Sequence, residues 1–276
     1  MRKHFLTAAV GLCAALGSAP SLAQTTVTVS PFDMKDWTFF DDGTIRPCSA
    51  GEFCGMVDGP DAPPAGDGSA NLELVGLDKR PSLGARLDWL AGVRLADIDV
   101  LRYSTYVKVN QNVQAIALQF PVDNDVMDQD FAFRGRLVFE PYFEPSLGPV
   151  QKLVWQTWDT LHGKWWLSSA GNPDRFPSTV CSQSAPCTVS ELVGHYPNIG
   201  VRDVLFDPNV ILKAGGGWAI FSGNVDALTI GITGSVPTTY NFERGPKDKA
   251  ACFNGGWVGF AKNQGQCVSH FMKATP

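Results

Sequence analysis

The stretch that decides the fold is Val150–Leu167, VQKLVWQTWDTLHGKWWL. Within twelve residues it holds half of the eight tryptophans of the chain: Trp155, Trp158, Trp165 and Trp166. The pattern predicts two short strands around a turn at 159–164, in which Gly163 supplies conformational freedom. What the protein does depends on whether these rings fill a core or line a binding face.

Side-chain alternation divides the four rings into two pairs. If Trp158 faces Trp165 across the predicted turn, Trp155 and Trp166 lie together on the opposite face. At most one pair can then face a ligand, and the other must be core. Trp155 and Trp166 have the more polar neighbours, so the predicted ligand-facing set is Trp155, Thr157, Asp159 and Trp166. The alternative is that neighbouring elements bury both pairs.

The N-terminus is typical of a signal peptide. Arg2, Lys3 and His4 precede the apolar run Phe5–Leu16, and Ser21-Leu22-Ala23 places small residues where a signal peptidase cuts. The apolar run is shorter than the roughly 20 residues that a membrane span requires. We therefore predict cleavage after Ala23 and a secreted or periplasmic protein that is not transmembrane.

Net charge restricts the class of partner. Without residues 1–23 the chain has 20 basic and 27 acidic side chains, a net charge of about −7. Binding to nucleic acid or to an anionic membrane requires a basic patch, which this balance disfavours. We expect no nucleic-acid partner.

Six cysteines follow the predicted signal peptide, and an even number in an exported chain implies disulfides. They fall into three couples that are close in sequence: Cys48 with Cys54, Cys181 with Cys187, and Cys252 with Cys267. A zinc site is the rival interpretation, but there is no Cys-x-x-Cys and the histidines are far apart. We predict three local disulfides, each of which pins a loop.

Strand patterns dominate the rest of the chain. Asp99–Val109 is the longest period-two run, and the strand predicted at 113–120 follows it as part of an antiparallel meander. Residues 46–65, rich in Gly, Pro and Asp, are predicted to form a surface loop. Thr188-Val-Ser-Glu191 is a capping box that predicts a short helix ending before Pro197.

These patterns predict an all-β protein, an antiparallel β-sandwich with one short helix. The predicted organisation is a signal peptide at 1–23, a sandwich domain at 24–245 and a disulfide-closed C-terminal extension at 246–276. The extension contains Phe253, Trp257 and Phe260 inside its cysteine loop. It is interpreted either as a stapled segment packed on the sandwich or as an element that exposes Trp257 for recognition.

Three segments resemble strands of jelly-roll, concanavalin-A-like modules: Gly68–Leu74, Leu101–Tyr106 and Asn224–Ile230. Many carbohydrate-binding modules of exported bacterial proteins belong to this group. The tail, from Cys252-Phe-Asn-Gly-Gly-Trp257 to Lys262-Asn-Gln-Gly-Gln-Cys267-Val-Ser269, resembles an ending of exported bacterial proteins and brings no known activity. The resemblance implies a jelly-roll fold and, by analogy alone, a glycan ligand.

The same resemblance implies a structural calcium ion that ties the first strand to the last. Asp226 on the final strand with Asp33 or Asp36 near the first are the candidate ligands, although the usual entry-strand Glu is missing. A second calcium hypothesis is the acidic loop 123–130, whose carboxylates are hard oxygen donors but whose spacing is not that of an EF-hand. The alternative for that loop is a solvated surface segment.

Catalytic motifs are scarce. The sequence has no Gly-x-Ser-x-Gly, no His-Glu-x-x-His and no phosphate-binding glycine loop. Glu140 and Glu144 are the candidate acids, but four residues on an extended strand span roughly 13 Å, beyond the ~5–9.5 Å used in glycoside hydrolysis. Together with the jelly-roll resemblance and the clustered tryptophans, this scarcity leads us to expect a non-catalytic binding protein with a glycan ligand. The alternatives are a polysaccharide hydrolase or lyase that uses Glu140 or Glu144, or a structural envelope-surface protein with no small ligand.

Overall fold

The computed structural model describes residues 24–130, 132–168, 176–177, 179–203, 205 and 207–273. The predicted signal peptide lies outside the described residues. The described residues form two β-sheets packed face to face, which confirms the predicted all-β sandwich. They contain no helix long and apolar enough to cross a membrane.

Sheet 1 is built around two long strands that pair antiparallel with each other, β6 and β14. Its seven strands are β1 (Thr25–Val29), β3 (Glu52–Asp58), β4 (Gly68–Val75), β6 (Ile98–Asn110), β9 (Trp155–Asp159), β14 (Ile220–Ile232) and β15 (Thr238–Phe242). β14 pairs with β4 along its first half and with β15 along its second. The pairing of β1 with β15 is parallel, an exception to the predicted antiparallel pattern.

Sheet 2 runs in the order β11-β10-β8-β7-β13-β5-β2, with β12 paired to β7. Its strands are β2 (Trp37–Asp41), β5 (Pro81–Ala85), β7 (Ala117–Asp123), β8 (Arg136–Phe139), β10 (Lys164–Leu167), β11 (Cys187–Thr188), β12 (Gly200–Val201) and β13 (Val210–Lys213). Short 3-10 turns occur at Asp88–Leu90, Leu95–Asp97, Pro141–Phe143, Pro145–Leu147, Thr160–His162 and Ala250–Cys252. One face of this sheet covers the core, and the other forms the surface described below.

The tryptophan stretch does not form the predicted hairpin. β9 pairs with β6 in sheet 1, whereas β10 pairs with β8 and β11 in sheet 2. The turn Thr160–His162 carries the chain from one sheet to the other, and a Cβ at Gly163 would come within 2.4 Å of the Phe139 ring. The hairpin prediction is wrong because local alternation identifies strands without identifying their partners.

The division of the four rings is nevertheless confirmed. Trp158 and Trp165 are fully buried in the core between the sheets, while Trp155 and Trp166 are half-buried on the outer faces. The indole nitrogen of Trp158 donates to Thr105 Oγ1 at 2.9 Å. Each strand turns one face toward the shared core. Alternation of side chains therefore buries one tryptophan of each strand and leaves the other outside, although the two strands lie in different sheets.

Three other strand predictions need correction. The 46–65 segment is not all loop, because β3 lies within it and pairs with β4. β6 and β7 belong to different sheets, so the predicted meander does not exist. The sequence pattern also predicts two separate strands at 217–221 and 224–233, but Ile220–Ile232 form one strand, β14. In a sandwich, strands that follow each other in sequence can belong to different sheets, and the periodicity of the sequence does not show which sheet a strand joins.

The disulfide prediction is confirmed for all three couples. The Cα atoms are 6.1 Å apart for Cys48–Cys54, 5.1 Å for Cys181–Cys187 and 5.8 Å for Cys252–Cys267. Each bond closes a short segment, which restricts the unfolded chain locally.

Both helices lie beside the sandwich. α1 (Val189–His195) begins at the predicted capping box, in which Glu191 N donates to Thr188 Oγ1 and Thr188 N donates to Glu191 Oε2. α2 (Gln264–Lys273) was not predicted. It belongs to the C-terminal extension, where Cys252 and Cys267 form a small apolar cluster with Phe32 from the loop between β1 and β2.

Candidate functional site

The outer face of sheet 2 carries a row of side chains that crosses six strands. Strand register places Trp166 beside Val138, Val138 beside Gln119, and Gln119 beside Ile211. The row continues through Gly84 to Thr38. Residues two apart on a strand point to the same face. Lys213, two residues after Ile211, and Arg136, two residues before Val138, therefore also lie on this face, on opposite sides of the row.

One end of this face forms a cavity of about 220 Å³, which we name the Glu140 cavity. Two half-buried indoles, Trp166 and Trp218, lie on its wall. Its other lining residues are Ala117, Gln119, Val138, Glu140, Tyr142, Gln183, Lys213, Gly215 and Gly216. Aromatic rings together with a few fixed polar groups are typical of a small-ligand site.

The carboxylate of Glu140 is buried and held in one orientation. Trp166 Nε1 donates to its Oε2 at 2.9 Å, and the side chains of Tyr142 and Gln183 also hydrogen-bond to it. Burial raises the pKa of Glu140, against these hydrogen bonds, which lower it. Burial and the neighbouring carboxylate also raise the pKa of Tyr142, so Tyr142 remains a neutral donor.

A network of three charges lies beside the Glu140 cavity. Arg136 donates two hydrogen bonds to Asp42, at 2.7 and 2.8 Å, and Lys213 Nζ donates to Asp42 Oδ2 at 2.6 Å. Burial would raise the pKa of Asp42, but the hydrogen bonds and charges of Arg136 and Lys213 outweigh it and lower the pKa to about 2. Asp42 is therefore a permanent anion that fixes both cations.

A second, larger cavity of about 460 Å³ lies on the other side of this network. Arg136 lines this larger cavity while Lys213 lines the Glu140 cavity, so the network separates the two. Phe40, Ile45 and Phe133 give the larger cavity apolar walls, and Arg46, Arg86 and Arg202 add charge. Both cavities lie on the outer face of sheet 2, and we refer to the two together as the groove.

The predicted ligand-facing set is divided by the fold, and the prediction that it acts together is wrong. Trp155, Thr157 and Asp159 lie on β9 in sheet 1, whereas Trp166 lies in sheet 2 on the other side of the core. Trp155 Nε1 donates to the carbonyl of Pro60 at 2.8 Å, and its ring packs on Tyr106. Thr157 hydrogen-bonds to Ser104, and Asp159 lies 3.2 Å from His162.

The carboxylates predicted to bind calcium are not brought together. Asp226 is buried in sheet 1, where it accepts hydrogen bonds from Phe242 N at 2.9 Å and Ala65 N at 3.1 Å, and burial raises its pKa to about 7. Asp33 pairs with Lys35, and Asp36 lines the larger cavity of sheet 2. The described residues contain no group of three or more His, Cys, Asp or Glu that could hold a metal ion.

The acidic loop binds its own backbone instead of forming a metal site. Asp123 accepts from Asp125 N, Asp125 from Met127 N, and Asp128 from Asp130 N. Each carboxylate thus closes a local turn. From Asp125 onward this geometry matches the alternative interpretation, a surface segment, whereas Asp123 ends β7 and is buried.

Glu140 and Glu144 are not a catalytic pair. Glu144 is buried, and its Oε1 accepts from Ser146 N at 3.0 Å, which caps the short turn Pro145–Leu147. Glu144 does not line the Glu140 cavity. Of the two candidate acids, Glu140 therefore lies in the groove and Glu144 caps a turn.

Several groove residues were missed by sequence reasoning: Asp42, Gln119, Lys213 and Trp218. Gln119 and Lys213 are polar side chains within otherwise apolar strand segments, a signal that could have marked them. Asp42 and Trp218 lie in turns, outside the strands. Strand register brings Gln119 and Lys213 to this face, and the turns place Asp42 and Trp218 beside them.

Comparison of the chain with protein-family models, with curated proteins and with solved structures found no match. The class of this protein is therefore defined by its fold and its groove. It is a disulfide-containing β-sandwich protein with a cleft on the outer face of one sheet.

Proposed function

We propose that this protein binds a glycan in the groove of sheet 2, with the Glu140 cavity as the principal subsite and without chemical conversion of the ligand. The observation that carries the proposal is the pair of half-buried indoles, Trp166 and Trp218, on the wall of one cavity with a fixed polar set. Because both indoles are partly exposed in the groove, a ligand-binding role is favoured over a purely structural one.

The chemistry of the cavity suits a sugar. Sugar rings present C–H faces that pack on aromatic rings, which bury a large apolar area. Their hydroxyl groups need donors and acceptors at fixed positions, and Gln119, Glu140 and Gln183 supply both. Among the described residues that line this cavity, Glu140 is the only carboxylate, whereas glycoside hydrolysis ordinarily uses two, which supports binding rather than hydrolysis.

The proposal includes export of the protein from the cytosol. Three disulfides form readily in an oxidising compartment and rarely in the cytosol. The predicted signal peptide at 1–23 would deliver the chain there, and extracellular or envelope glycans are the polymers it would meet.

The proposal is tested by a glycan array and by pull-down with insoluble polysaccharides, followed by substitution of the indoles. We expect Trp166→Ala and Trp218→Ala each to weaken retention at least about tenfold, since aromatic anchors dominate binding energy. Trp155→Ala is the matched control, because its half-buried indole lies on the other sheet. The proposal fails if no glycan is retained, or if Trp155→Ala weakens retention as much as Trp166→Ala.

A polysaccharide hydrolase or lyase is the second candidate, and the raised pKa of Glu140 favours it. A buried carboxyl whose pKa is raised can remain protonated and act as a general acid. In that case incubation with a polysaccharide panel should release reducing ends or unsaturated products. Glu140→Gln should abolish release, at least about 100-fold, while the control Glu144→Gln leaves it unchanged. A panel that yields no product removes this candidate and leaves glycan binding intact.

A further inference from the structure

Charge is distributed unevenly along the chain. Residues 244–273 contain five Lys and Arg and one Asp, whereas residues 24–243 contain 15 Lys and Arg and 26 Asp and Glu. The segment that follows the sandwich is therefore basic although the chain is acidic. The net charge that disfavours an anionic partner describes the sandwich and not this segment.

The tail loop, which we define as residues 253–261 with the sequence FNGGWVGFA, is apolar at its surface. Phe253 is 42% exposed and Val258 is 61% exposed. Trp257 and Phe260 instead pack against the cluster of Phe32 with the two tail cysteines, and Ser30 Oγ donates to the Phe260 carbonyl at 3.1 Å. The loop is thus fixed on its inner side and presents apolar side chains outward.

Lysines flank the tail loop on both sides. Lys249 precedes the turn Ala250–Cys252 that leads into the loop, and Lys262 follows the loop directly. Both are exposed, and neither forms an ion pair with another described residue. Arg244 and Lys247, in contrast, both pair with Asp58 at 2.8 Å. These two lysines can therefore contact an anionic partner beside the tail loop.

We infer that the tail loop docks the protein onto an anionic lipid surface. Phe253 and Val258 enter the interface, and Lys249 and Lys262 stay at the headgroups. Apolar side chains next to lysines are the combination by which peripheral proteins bind such interfaces. A folded protein partner would require about 20–30 residues on each side, more than this loop offers.

The acidic sandwich does not prevent this docking. At physiological salt the Debye length is about 8 Å, so charges of the sandwich that lie farther from the surface than this are largely screened. Lys249 and Lys262, which flank the tail loop and lie close to the lipid, contribute their full charge. Binding should therefore be oriented, with the tail loop toward the surface.

The test is co-sedimentation of the full chain with phosphatidylcholine vesicles that contain or lack phosphatidylglycerol. We expect retention on the anionic vesicles alone, weakening as salt is added. The double variant K249Q/K262Q should lower the partition coefficient about tenfold or more, and F253A/V258A should lower it by a similar factor. Circular dichroism should show both variants folded, because all four side chains are exposed.

V236A is the control, since Val236 is an exposed apolar residue in the turn before β15, at the end of that strand away from the tail. Its partition coefficient should equal that of the wild type. The inference is overturned if the anionic vesicles retain nothing or if the tail-loop variants bind as well as V236A. Retention on a soluble polyanion without retention on vesicles would also overturn it, and would assign the loop to an anionic polymer.

Discussion

Replacing Asp42 with alanine is expected to lower the free energy of unfolding by about 3–5 kcal/mol. The side chain is 5% exposed and holds Arg136 and Lys213, whose side chains are 20% and 14% exposed. Removing the anion leaves two largely buried cations close together without compensation. Guanidinium unfolding followed by circular dichroism measures the loss.

An exposed ion pair gives the matched control. Asp203 pairs with Arg86 at 3.1 Å and is about half exposed, so Asp203→Ala should cost less than about 1 kcal/mol. Asp42→Asn keeps the shape and removes only the charge, and it should cost nearly as much as Asp42→Ala. A small effect of Asp42→Asn would show that the charge network does not stabilise the fold.

The same network predicts how stability depends on pH. The pKa of Asp42 is about 2 in the fold and about 3.9 in an unfolded chain, so the unfolded state binds more protons between these values. The stabilisation is complete above about pH 4 and is lost as the pH falls toward 2, by about 2–3 kcal/mol. Wild type should lose this stability on acidification, whereas Asp42→Asn should not. Equal acid sensitivity of the two proteins would contradict the prediction.

The presence of a strand could be predicted where polar and apolar residues alternate over many positions. The run at 99–109 matches β6 within one residue at each end, because strict period-two alternation over that length does not fit a helix. β3 was missed because Gly55 and Cys54 interrupt it and Pro and Gly surround it. Pairing could not be predicted: β9 and β10 are neighbours in sequence and belong to opposite sheets.

The candidate site was predictable only in part, for the same reason. Trp166 was identified because its parity and its polar neighbours are local properties. Its partners Gln119, Lys213 and Trp218 are each about 50 residues away in sequence. Strand register brings Gln119 and Lys213 to its face, and the turn before β14 brings Trp218 there. The cysteine couples were predictable because each closes a short segment. Features set by nearby residues, such as side-chain parity and the cysteine couples, could be predicted. Features set by the order of strands in the sheets could not.

Trp165→Ala and Trp166→Ala should separate the two roles within the tryptophan stretch. Trp165 is fully buried, its ring lies 5.3 Å from that of Phe139, and its Nε1 donates to the Thr160 carbonyl at 2.8 Å. Removing this ring leaves a cavity in the core and deletes one of the two hydrogen bonds that the Thr160 carbonyl accepts, the other coming from Gly163 N. We therefore expect a loss of about 3–5 kcal/mol in the free energy of unfolding. The change should leave glycan retention intact in the fraction that remains folded.

Trp166, the next residue, faces the groove and is half-buried. Trp166→Ala should cost about 1–2 kcal/mol of stability, because Glu140 loses one donor but keeps its hydrogen bonds from Tyr142 and Gln183. The same change should weaken retention. Trp165→Phe refines the comparison, because it keeps an aromatic ring in the core while it removes the indole nitrogen that donates to Thr160 and leaves a smaller cavity, at an expected cost of about 1–3 kcal/mol. Urea unfolding of the three variants checks the order. Equal destabilisation by Trp165→Ala and Trp166→Ala would mean that β10 does not present alternate side chains to core and groove, and the assignment of Trp166 to a binding surface would fail with it.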